Sequence, residues 1–377
     1  SQQYDYSPAF SNKKNTEVVF VSTRQAATGA ETDDILGDNF ADLFLSKRDK
    51  LGKWSEPVKL SMEVNSEANE GPAVFTKKRT LMFFTRCPKE KNEVHGCDIW
   101  ASKKVGNNFA EAVMLPLKPE QGKKDTNVVT IGHPTISPDG TYLIFASNMK
   151  GAGAMGGKDL WKVGIDKNGN AVGKPKNLGK GVNTSGDEMF PFVREDGSLY
   201  FSSNGYPNMG GMDIYRAEAS GDTWDQPMNM KAPINSPGDD FGIIFDADHD
   251  RGYFTSNRIG GKGQDDIWRF FMPDLVYALQ GTVLDKQDGT PIDGVTIEVV
   301  GTDGSSFSAI TDEAGGFNFE DNGNARYINE NTTYSIRASK PDYLVVKDQI
   351  TTVGVDESTT FVKEYFMQYA GVEVDGI

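Results

Sequence analysis

Short apolar runs that end at turn residues recur along the first two thirds of the chain. Residues 190–193, 199–203, 213–216 and 224–228 show the pattern most clearly, being rich in aromatic and branched residues. Gly, Asp, Asn and Pro separate these runs, as is typical of β-strands joined by tight turns. No apolar spacing typical of a helix occurs in this stretch. We therefore expect four antiparallel strands here and no helix.

The same order of elements returns with a tripeptide of Asp, a branched aliphatic residue and an aromatic residue. Its copies are separated by 56, 61, 54 and 53 residues. Sheets without covering helices must pack against neighbouring copies, and radial closure does this with few exposed edges. The repeat predicts an all-β fold containing a five-bladed β-propeller; six blades are the less favoured count, because no sixth tripeptide is found. The five copies are Asp42-Leu43-Phe44, Asp98-Ile99-Trp100, Asp159-Leu160-Trp161, Asp213-Ile214-Tyr215 and Asp266-Ile267-Trp268.

The tripeptide itself predicts a structural role in each repeat. Its Asp follows a hairpin loop, where a short carboxylate accepts hydrogen bonds from loop amides. The aliphatic and aromatic residues alternate across the strand, so each should pack toward a different neighbouring blade. Five similar copies suit a scaffold better than a single active site.

The fifth repeat lacks a fourth strand in the sequence pattern. After Trp268 the chain runs directly to Pro273, whereas the other repeats have a further short run. Three alternatives follow. Residues preceding Ser1 supply the strand, the chain from Val276 onward supplies it, or the blade keeps three strands.

A change of composition at Pro273 predicts a domain boundary. The chain carries 54 acidic and 39 basic residues, and its net charge is −15. Most of this charge lies after residue 273, and neither part is basic enough to suggest nucleic acid or anionic membrane as a partner. We predict a propeller over 1–272, a β-sandwich over 273–371 and a tail over 372–377.

No apolar run approaches the length of a membrane-spanning helix, so we expect no direct membrane insertion. The chain starts at Ser1 without a signal peptide pattern, which suggests a mature segment or an excised fragment. The acidic sandwich suggests solubility more than an electrostatic docking surface.

The two cysteines, Cys87 and Cys97, flank the hairpin loop of the second repeat. Because they should face each other across the base of that loop, we predict a disulfide in an oxidising compartment. Two free thiols or a metal-binding pair are the alternatives.

A calcium loop is one weak candidate site. Asp246, Asp248 and Asp250 resemble the start of such a loop, but Gly252 comes one position late and Asn257 replaces the bidentate Glu. A solvated turn is the preferred interpretation.

The Gly-rich string 151–156 fits a dinucleotide fingerprint, yet it lies in a predicted hairpin and opens no helix. We therefore predict no cofactor.

A second weak candidate is an acidic ring at one mouth of the propeller channel. Asp5, Glu188 and Asp240 occupy matching positions near the start of the first strand of their repeats. Converging carboxylates there could bind a cation or a basic peptide segment. The alternative is that these side chains are simply solvated at a wet channel mouth.

Two resemblances to known families add to this picture. Ser137-Pro138-Asp139-Gly140 followed by an apolar strand resembles the blades of TolB-like or WD-repeat-like propellers. The segment after 273 resembles the carboxypeptidase regulatory-like family, a transthyretin-type β-sandwich, although that family usually has Gly at the position of Asp342. The matching segments are 281–285, 289–295, 311–317 and 334–338.

The order of the two domains resembles PorE-type components of the type IX secretion system. That resemblance implies an outer-membrane-associated periplasmic lipoprotein with an OmpA-like peptidoglycan-binding domain beyond the sandwich. Peptidoglycan anchoring is therefore implied only through a domain absent from this chain, and no residue of this sequence is assigned to it.

The sequence as a whole predicts a non-catalytic scaffold that binds other proteins of a secretion or envelope complex. It contains neither GxSxG nor HExxH, and its three histidines share no spacing. A propeller that binds a glycan or peptidoglycan ligand is the alternative, and a propeller hydrolase is a more distant one.

Overall fold

The prediction of an all-β fold is confirmed, since the described residues form strands and turns and no helix. The structure is a computed structural model that describes residues 2–25, 27, 40–90, 93–94, 96–106, 108–119, 128–246, 249–321, 326–355 and 357–371, without the side chains of 89–90 and 93–94. No described helix is long and apolar enough to cross a membrane. The chain divides into two compact units, Ser1–Met272 and Pro273–Ile377.

The first unit contains five successive antiparallel sheets among its described residues. Sheet 1 holds β1 (Asp5–Phe10), β2 (Glu17–Ser22), β3 (Asp42–Lys47) and β4 (Val58–Lys59). Sheet 2 holds β5 (Asn69–Phe75) and β6 (Leu81–Cys87), then, after the small hairpin β7 (Lys89–Glu90) and β8 (Glu93–Val94), β9 (Asp98–Val105), β10 (Asn108–Phe109) and β11 (Val113–Met114).

The remaining sheets of this unit follow the same order. Sheet 3 holds β12 (Ile131–Ile136), β13 (Tyr142–Ser147), β14 (Asp159–Ile165) and β15 (Ala171–Asn177). Sheet 4 holds β16 (Glu188–Val193), β17 (Leu199–Ser203), β18 (Asp213–Ala217) and, beyond the ribbon β19 (Ala219–Ser220) and β20 (Thr223–Trp224), β21 (Met228–Asn229). Sheet 5 holds β22 (Asp240–Phe245), β23 (Arg251–Ser256) and β24 (Asp266–Phe271).

The five sheets are joined in a ring, which is the arrangement of a β-propeller. The first strand of each sheet contacts the first strand of the next, and β22 contacts β1. A backbone hydrogen bond repeats at every junction: the first-strand amide of one sheet donates to the carbonyl that directly precedes the tripeptide Asp of the sheet before. Its donors and acceptors are Glu70 to Ala41, Ile131 to Cys97, Glu188 to Lys158, Asp240 to Met212 and Asp5 to Asp265, at 2.7–2.9 Å.

The tripeptide has the local structure that its pattern predicts. Oδ2 of Asp159 accepts the amide of Met155 at 2.8 Å, and Oδ2 of Asp213 accepts the amide of Met209 at 2.7 Å. Each carboxylate thereby closes the hairpin loop that precedes it. The residues that follow it alternate between neighbours: Ile214 packs in a core shared with sheet 5, while Tyr215 packs in a core shared with sheet 3.

Sheet 5 has three strands among the described residues, whereas each of the other four has a further strand beyond its third. The chain from Val276 onward does not supply the missing strand, because β25 (Tyr277–Asp285) pairs within the second unit. This excludes the second of the three alternatives, and sheet 5 has three strands in the part of the chain that the structure describes.

The second unit consists of two sheets around one core. The first has the order β28 (Gly316–Phe319), β25, β31 (Thr359–Met367), and the second has the order β27 (Ser306–Ile310), β26 (Thr296–Gly301), β29 (Thr333–Ser339), β30 (Val346–Thr351). Side chains alternate between buried and exposed along β26 and β29 because each strand faces the core on one side only.

Two details of the second unit go beyond the sequence analysis. Strand β30, with the sequence VKDQIT, has little apolar character and buries only Ile350 fully, so no apolar run in the sequence indicates it. Asp342 has φ of 65°, a left-handed conformation that Gly adopts most easily and Asp tolerates. This turn is therefore made with Asp in a backbone conformation that favours Gly. The predicted tail, 372–377, lies outside the described residues.

Candidate functional site

The candidate site is the central channel, which the first strands of all five sheets line. Near the turns that join first and second strands, the channel opens into a cleft of about 670 Å³. A smaller cleft of about 390 Å³ lies toward the hairpins that precede the tripeptides. His133 lines both clefts and therefore marks the waist between them.

The waist is built by residues with left-handed backbone at matching bulges of the first strands. Ser7, His133 and Phe190 have φ of 49°, 52° and 51°, and Gly242 has φ of 64°. Each lies where the strand register shifts against its neighbour. Only Gly adopts this conformation without strain, so the three other side chains persist because the surrounding sheets hold them in place.

Neighbouring strands stabilise these bulges. The Ser7 amide donates to Oγ1 of Thr255 at 2.9 Å, and the His133 amide donates to Oγ1 of Thr85 at 2.9 Å. In both cases the threonine belongs to the second strand of the preceding sheet. The bulges thus direct side chains into the channel and also connect one sheet to the next.

Aromatic rings fill the waist. The rings of His133 and Phe190 stack with centroids 3.9 Å apart, and Phe190 lies 4.5 Å from Phe241, which in turn lies 6.3 Å from Tyr6. Burial lowers the pKa of His133 to about 3, so its imidazole is neutral at ordinary pH. Burial, assisted by Asp265, raises the pKa of Tyr6 well above its usual range. Neither side chain is charged at neutral pH.

Four residues that line the larger cleft each have a buried polar atom without a hydrogen-bond partner among the described residues. Such atoms are uncommon in folded proteins and call for a polar group in contact with them. The four atoms are Oγ of Ser7, Oδ1 of Asn15, Nε of Arg79 and Nδ1 of His133.

The mouth of the larger cleft is cationic. The charged side chains that line it are Lys13, Lys77, Lys78, Arg79, Arg194 and a single carboxylate, Glu195. Lys77 reaches across the cleft to Glu195, with 2.8 Å between Nζ and Oε2, and Arg194 pairs with Asp250. Lys13 and Lys78 are exposed. The mouth is therefore a positive site on a chain whose net charge is −15.

The carboxylates predicted to form an acidic ring lie at three different sheet junctions, and each has partners. Asp5 accepts a hydrogen bond from Arg24 at 2.7 Å, and Asp240 pairs with Arg258. Glu188 accepts hydrogen bonds from Thr184 and Ser203 instead, and burial raises its pKa. Asp240 and Glu188 are fully buried.

These carboxylates belong to a repeated motif that was not predicted from the sequence. Asn, Ser or Thr, three further residues and an acid occur at 65–70, 183–188 and 235–240. This motif adds Glu70, whose pKa is raised to about 7 by burial although Ser66 and Arg86 donate to its carboxylate. The spacing alone could have identified it.

The candidate calcium residues do not form a cluster among the described residues. Asp246 pairs with Arg251 at 2.9 Å, and Asp250 pairs with Arg194. Asp248 lies outside the described residues. No group of three or more metal-binding side chains is found in the part of the chain that the structure describes.

The structure joins Cys87 and Cys97 in a disulfide at the smaller cleft. The Gly-rich string 151–156 lies in the hairpin between β13 and β14, as its position in the repeat predicts.

The smaller cleft also contains Asp265, whose pKa is raised to about 6 by burial and by the neighbouring carboxylates Asp239 and Asp266.

Comparisons with known proteins report similarity of fold at low sequence identity. No family model and no curated protein matches the chain. TolB from Acinetobacter baumannii is 12% identical, with 82% of this chain and 65% of that chain covered and a TM-score of 0.39. An endo-arabinase from Bacteroides thetaiotaomicron is 14% identical, with 73% and 96% covered and a TM-score of 0.47.

An exo-β-1,3-galactanase from Clostridium thermocellum is 14% identical, with 93% of this chain and 84% of that chain covered and a TM-score of 0.45. Similarity at this level carries no conclusion about the activity of the present chain.

Proposed function

We propose that the chain is a non-catalytic binding scaffold: a five-bladed propeller whose cationic channel mouth takes an acidic segment of a protein partner, joined to a transthyretin-like sandwich of the carboxypeptidase regulatory-like type. The observation that carries the proposal is the cleft of about 670 Å³ with five cationic side chains and one carboxylate at its lining. The blade count is supported by the five junction bonds, the last of which runs from Asp5 to Asp265.

The chemistry of the channel favours binding over hydrolysis. Glycosidases of the usual kind need two carboxyl groups about 5–9.5 Å apart on either side of the scissile bond. In the larger cleft the single lining carboxylate, Glu195, pairs with Lys77. The smaller cleft is lined by two carboxyl groups, Glu70 and Asp265, but Glu70 is fully buried and pairs with Arg86, so the two do not form a free pair.

A glycan ligand is less well supported than an acidic peptide. Sugar-binding clefts present exposed aromatic faces. Of the five phenylalanines that line this cleft, Phe10, Phe75 and Phe245 are no more than 6% exposed, and Phe190 and Phe192 are half-buried. Cations at the rim instead suit carboxylates, which accept several hydrogen bonds at once. Electrostatic attraction would also speed the encounter with an acidic partner.

The cellular setting is proposed from the sequence resemblance alone. A TolB-like propeller followed by a regulatory-like sandwich supports a periplasmic, outer-membrane-associated component of a type IX secretion system. Protein partners would come from that envelope complex. Attachment to peptidoglycan would require a domain outside this chain.

A charge-reversal experiment tests the proposed site. We expect a fluorescent oligoglutamate peptide to bind the full chain, and the double substitution Lys13→Glu and Lys78→Glu to weaken binding about tenfold, since each rim contact contributes up to about 1 kcal/mol. The matched control is Lys174→Glu with Lys176→Glu, a pair of exposed lysines on β15. Equal losses in both variants would show attraction without a site.

A second assay separates the scaffold from its alternatives. Envelope proteins retained by the wild-type chain should be lost with the Lys13 and Lys78 variant and kept by the control. Retention on purified peptidoglycan that is unchanged by the rim variant would favour the glycan-binding alternative. Release of reducing sugar from arabinan or galactan would contradict the non-catalytic proposal.

A further inference from the structure

The smaller cleft, which lies toward the hairpins that precede the tripeptides, has the size of a site for a small molecule. Its volume of about 390 Å³ falls within the range of about 300–1,000 Å³ that is typical of such sites. The residue that follows each junction amide donor explains the free space. This residue is large in three sheets, as Tyr6, Met189 and Phe241, but it is Gly71 in sheet 2 and Gly132 in sheet 3, and both glycines line the cleft.

One repeated position forms much of the cleft wall. It is the residue directly before the tripeptide Asp, whose carbonyl accepts the junction bond in every sheet, so its backbone is held in the same way each time. The five residues are Ala41, Cys97, Lys158, Met212 and Asp265, and all but Met212 line the cleft. Three sheets build the junction with an uncharged residue at this position. The junction therefore does not require the two charges, which have opposite signs.

Neither charged side chain is fully engaged by the protein. Nζ of Lys158 lies 3.9 Å from Oδ2 of Asp187, which is too long for a hydrogen bond. The carboxyl of Asp265 has no hydrogen bond or ion pair with the residues that the structure describes, and Asp239 and Asp266 add negative charge beside it. Lys158 and Asp265 are both half-buried at the cleft wall. Both charges are therefore available to a ligand.

The two charges have different surroundings, Asp265 in sheet 5 and Lys158 in sheet 3. Burial and the nearby charge of Asp265 both raise the pKa of Tyr6, so this carboxylate and the phenol are neighbours. A carboxylate beside an aromatic ring suits an ammonium group. His133 is neutral, so Lys158 supplies the only positive charge among the described residues that line the cleft. Its ammonium suits a carboxylate.

We propose that the smaller cleft binds a small zwitterion, an amino acid or short peptide with both ends free, whose ammonium contacts Asp265 and Tyr6 and whose carboxylate contacts Lys158. Opposite charges on two walls orient such a molecule. They also disfavour a molecule with a single charge, because one wall charge would then lose its water without gaining a partner. The cleft lies across the waist from the cationic mouth, so this site does not depend on the proposed function.

The experiment compares three dipeptides that differ only at their ends. L-Alanyl-L-alanine is titrated into the full chain in a calorimeter, beside its N-acetylated form, which lacks the ammonium, and its C-terminal amide, which lacks the carboxylate. We expect the unmodified dipeptide to bind at millimolar concentration or below. Each blocked form should bind about tenfold more weakly, because it loses one charge-assisted contact.

Two substitutions assign each end of the dipeptide to its wall. Asp265→Asn should remove the preference for a free ammonium and keep the preference for a free carboxylate, whereas Lys158→Met should do the reverse. Asp265→Glu and Lys158→Arg keep the charges and should keep both preferences. The matched controls are Asp225→Asn and Lys180→Met, two exposed positions that do not line the cleft. The comparison of the three dipeptides needs no variant, so a variant that fails to fold leaves that test intact.

Several outcomes would overturn the proposal. Equal binding of the three dipeptides, or no binding of the unmodified one at millimolar concentration, would show that the cleft does not recognise a zwitterion. Displacement of the dipeptide by calcium chloride, lost in Asp265→Asn, would instead indicate a cation site. Weaker dipeptide binding after Lys13→Glu with Lys78→Glu would place the ligand in the larger cleft. Oligoglutamate binding by the Asp265 and Lys158 variants is measured in parallel, so the proposed function is tested separately.

Discussion

The junctions on either side of sheet 4 bury an acidic side chain at the same repeat position but compensate its charge differently. At the junction of sheets 4 and 5, Asp240 is fully buried and pairs with the guanidinium of Arg258. At the junction of sheets 3 and 4, Glu188 is equally buried but accepts hydrogen bonds from the hydroxyls of Thr184 and Ser203. The carboxylate of Asp240 therefore faces an opposite charge, whereas that of Glu188 faces neutral hydrogen-bond donors.

The residue that follows each second strand explains this difference. Arg258 comes two residues after Ser256, and the matching position after Ser203 is Gly205. A Cβ atom at Gly205 would lie 1.8 Å from Oγ1 of Thr184. A side chain of any size is therefore excluded there while Thr184 donates to Glu188. A buried carboxylate requires hydrogen bonds at either junction, and both arrangements provide them. Only the arrangement at Asp240 also includes an opposite charge.

The largest expected effect comes from removing the acid of the ion pair. Asp240→Ala should reduce the free energy of unfolding by about 3 kcal/mol, because Arg258 stays largely buried without its counter-charge. Urea denaturation of the full chain, followed for the propeller unit, measures it. Asp246→Ala is the matched control, since its partner Arg251 is 38% exposed against 18% for Arg258 and the variant should lose less. Equal losses would contradict the role assigned to burial.

The features that could be predicted from the sequence are those that depend on residues close together along the chain. The tripeptide predicts the hairpins, the placement of Cys87 beside Cys97 and the break after Trp268, because each depends on residues close in sequence. The bonds of Glu188 and Asp240 depend on ring closure, which brings together segments that no local pattern connects. His133 precedes a proline, a position that normally favours extended backbone, so its left-handed conformation could not be predicted.

An intermediate effect is expected at Gly205. Gly205→Ala should destabilise the chain by about 1–3 kcal/mol, since the new methyl group must displace the Thr184 hydroxyl from Glu188. Gly181→Ala is the matched control, because a Cβ there meets nothing within 4 Å. Thermal unfolding of both variants measures the difference. If the two variants were equally stable, steric exclusion would not explain why this junction lacks an arginine.

The smallest effect is a change in pH dependence at Glu188. Burial raises the pKa of its folded-state carboxyl above the unfolded value, so the folded chain holds the proton more tightly. Its contribution to stability is therefore fully present below the unfolded pKa and is lost as the pH rises through the folded pKa. Glu188→Gln removes this titration, so its stability relative to wild type should be more favourable at pH 7 than at pH 4 in urea denaturation. A relative stability that does not change between these pH values would show that the hydroxyl donors of Thr184 and Ser203 compensate the buried charge as completely as an arginine would.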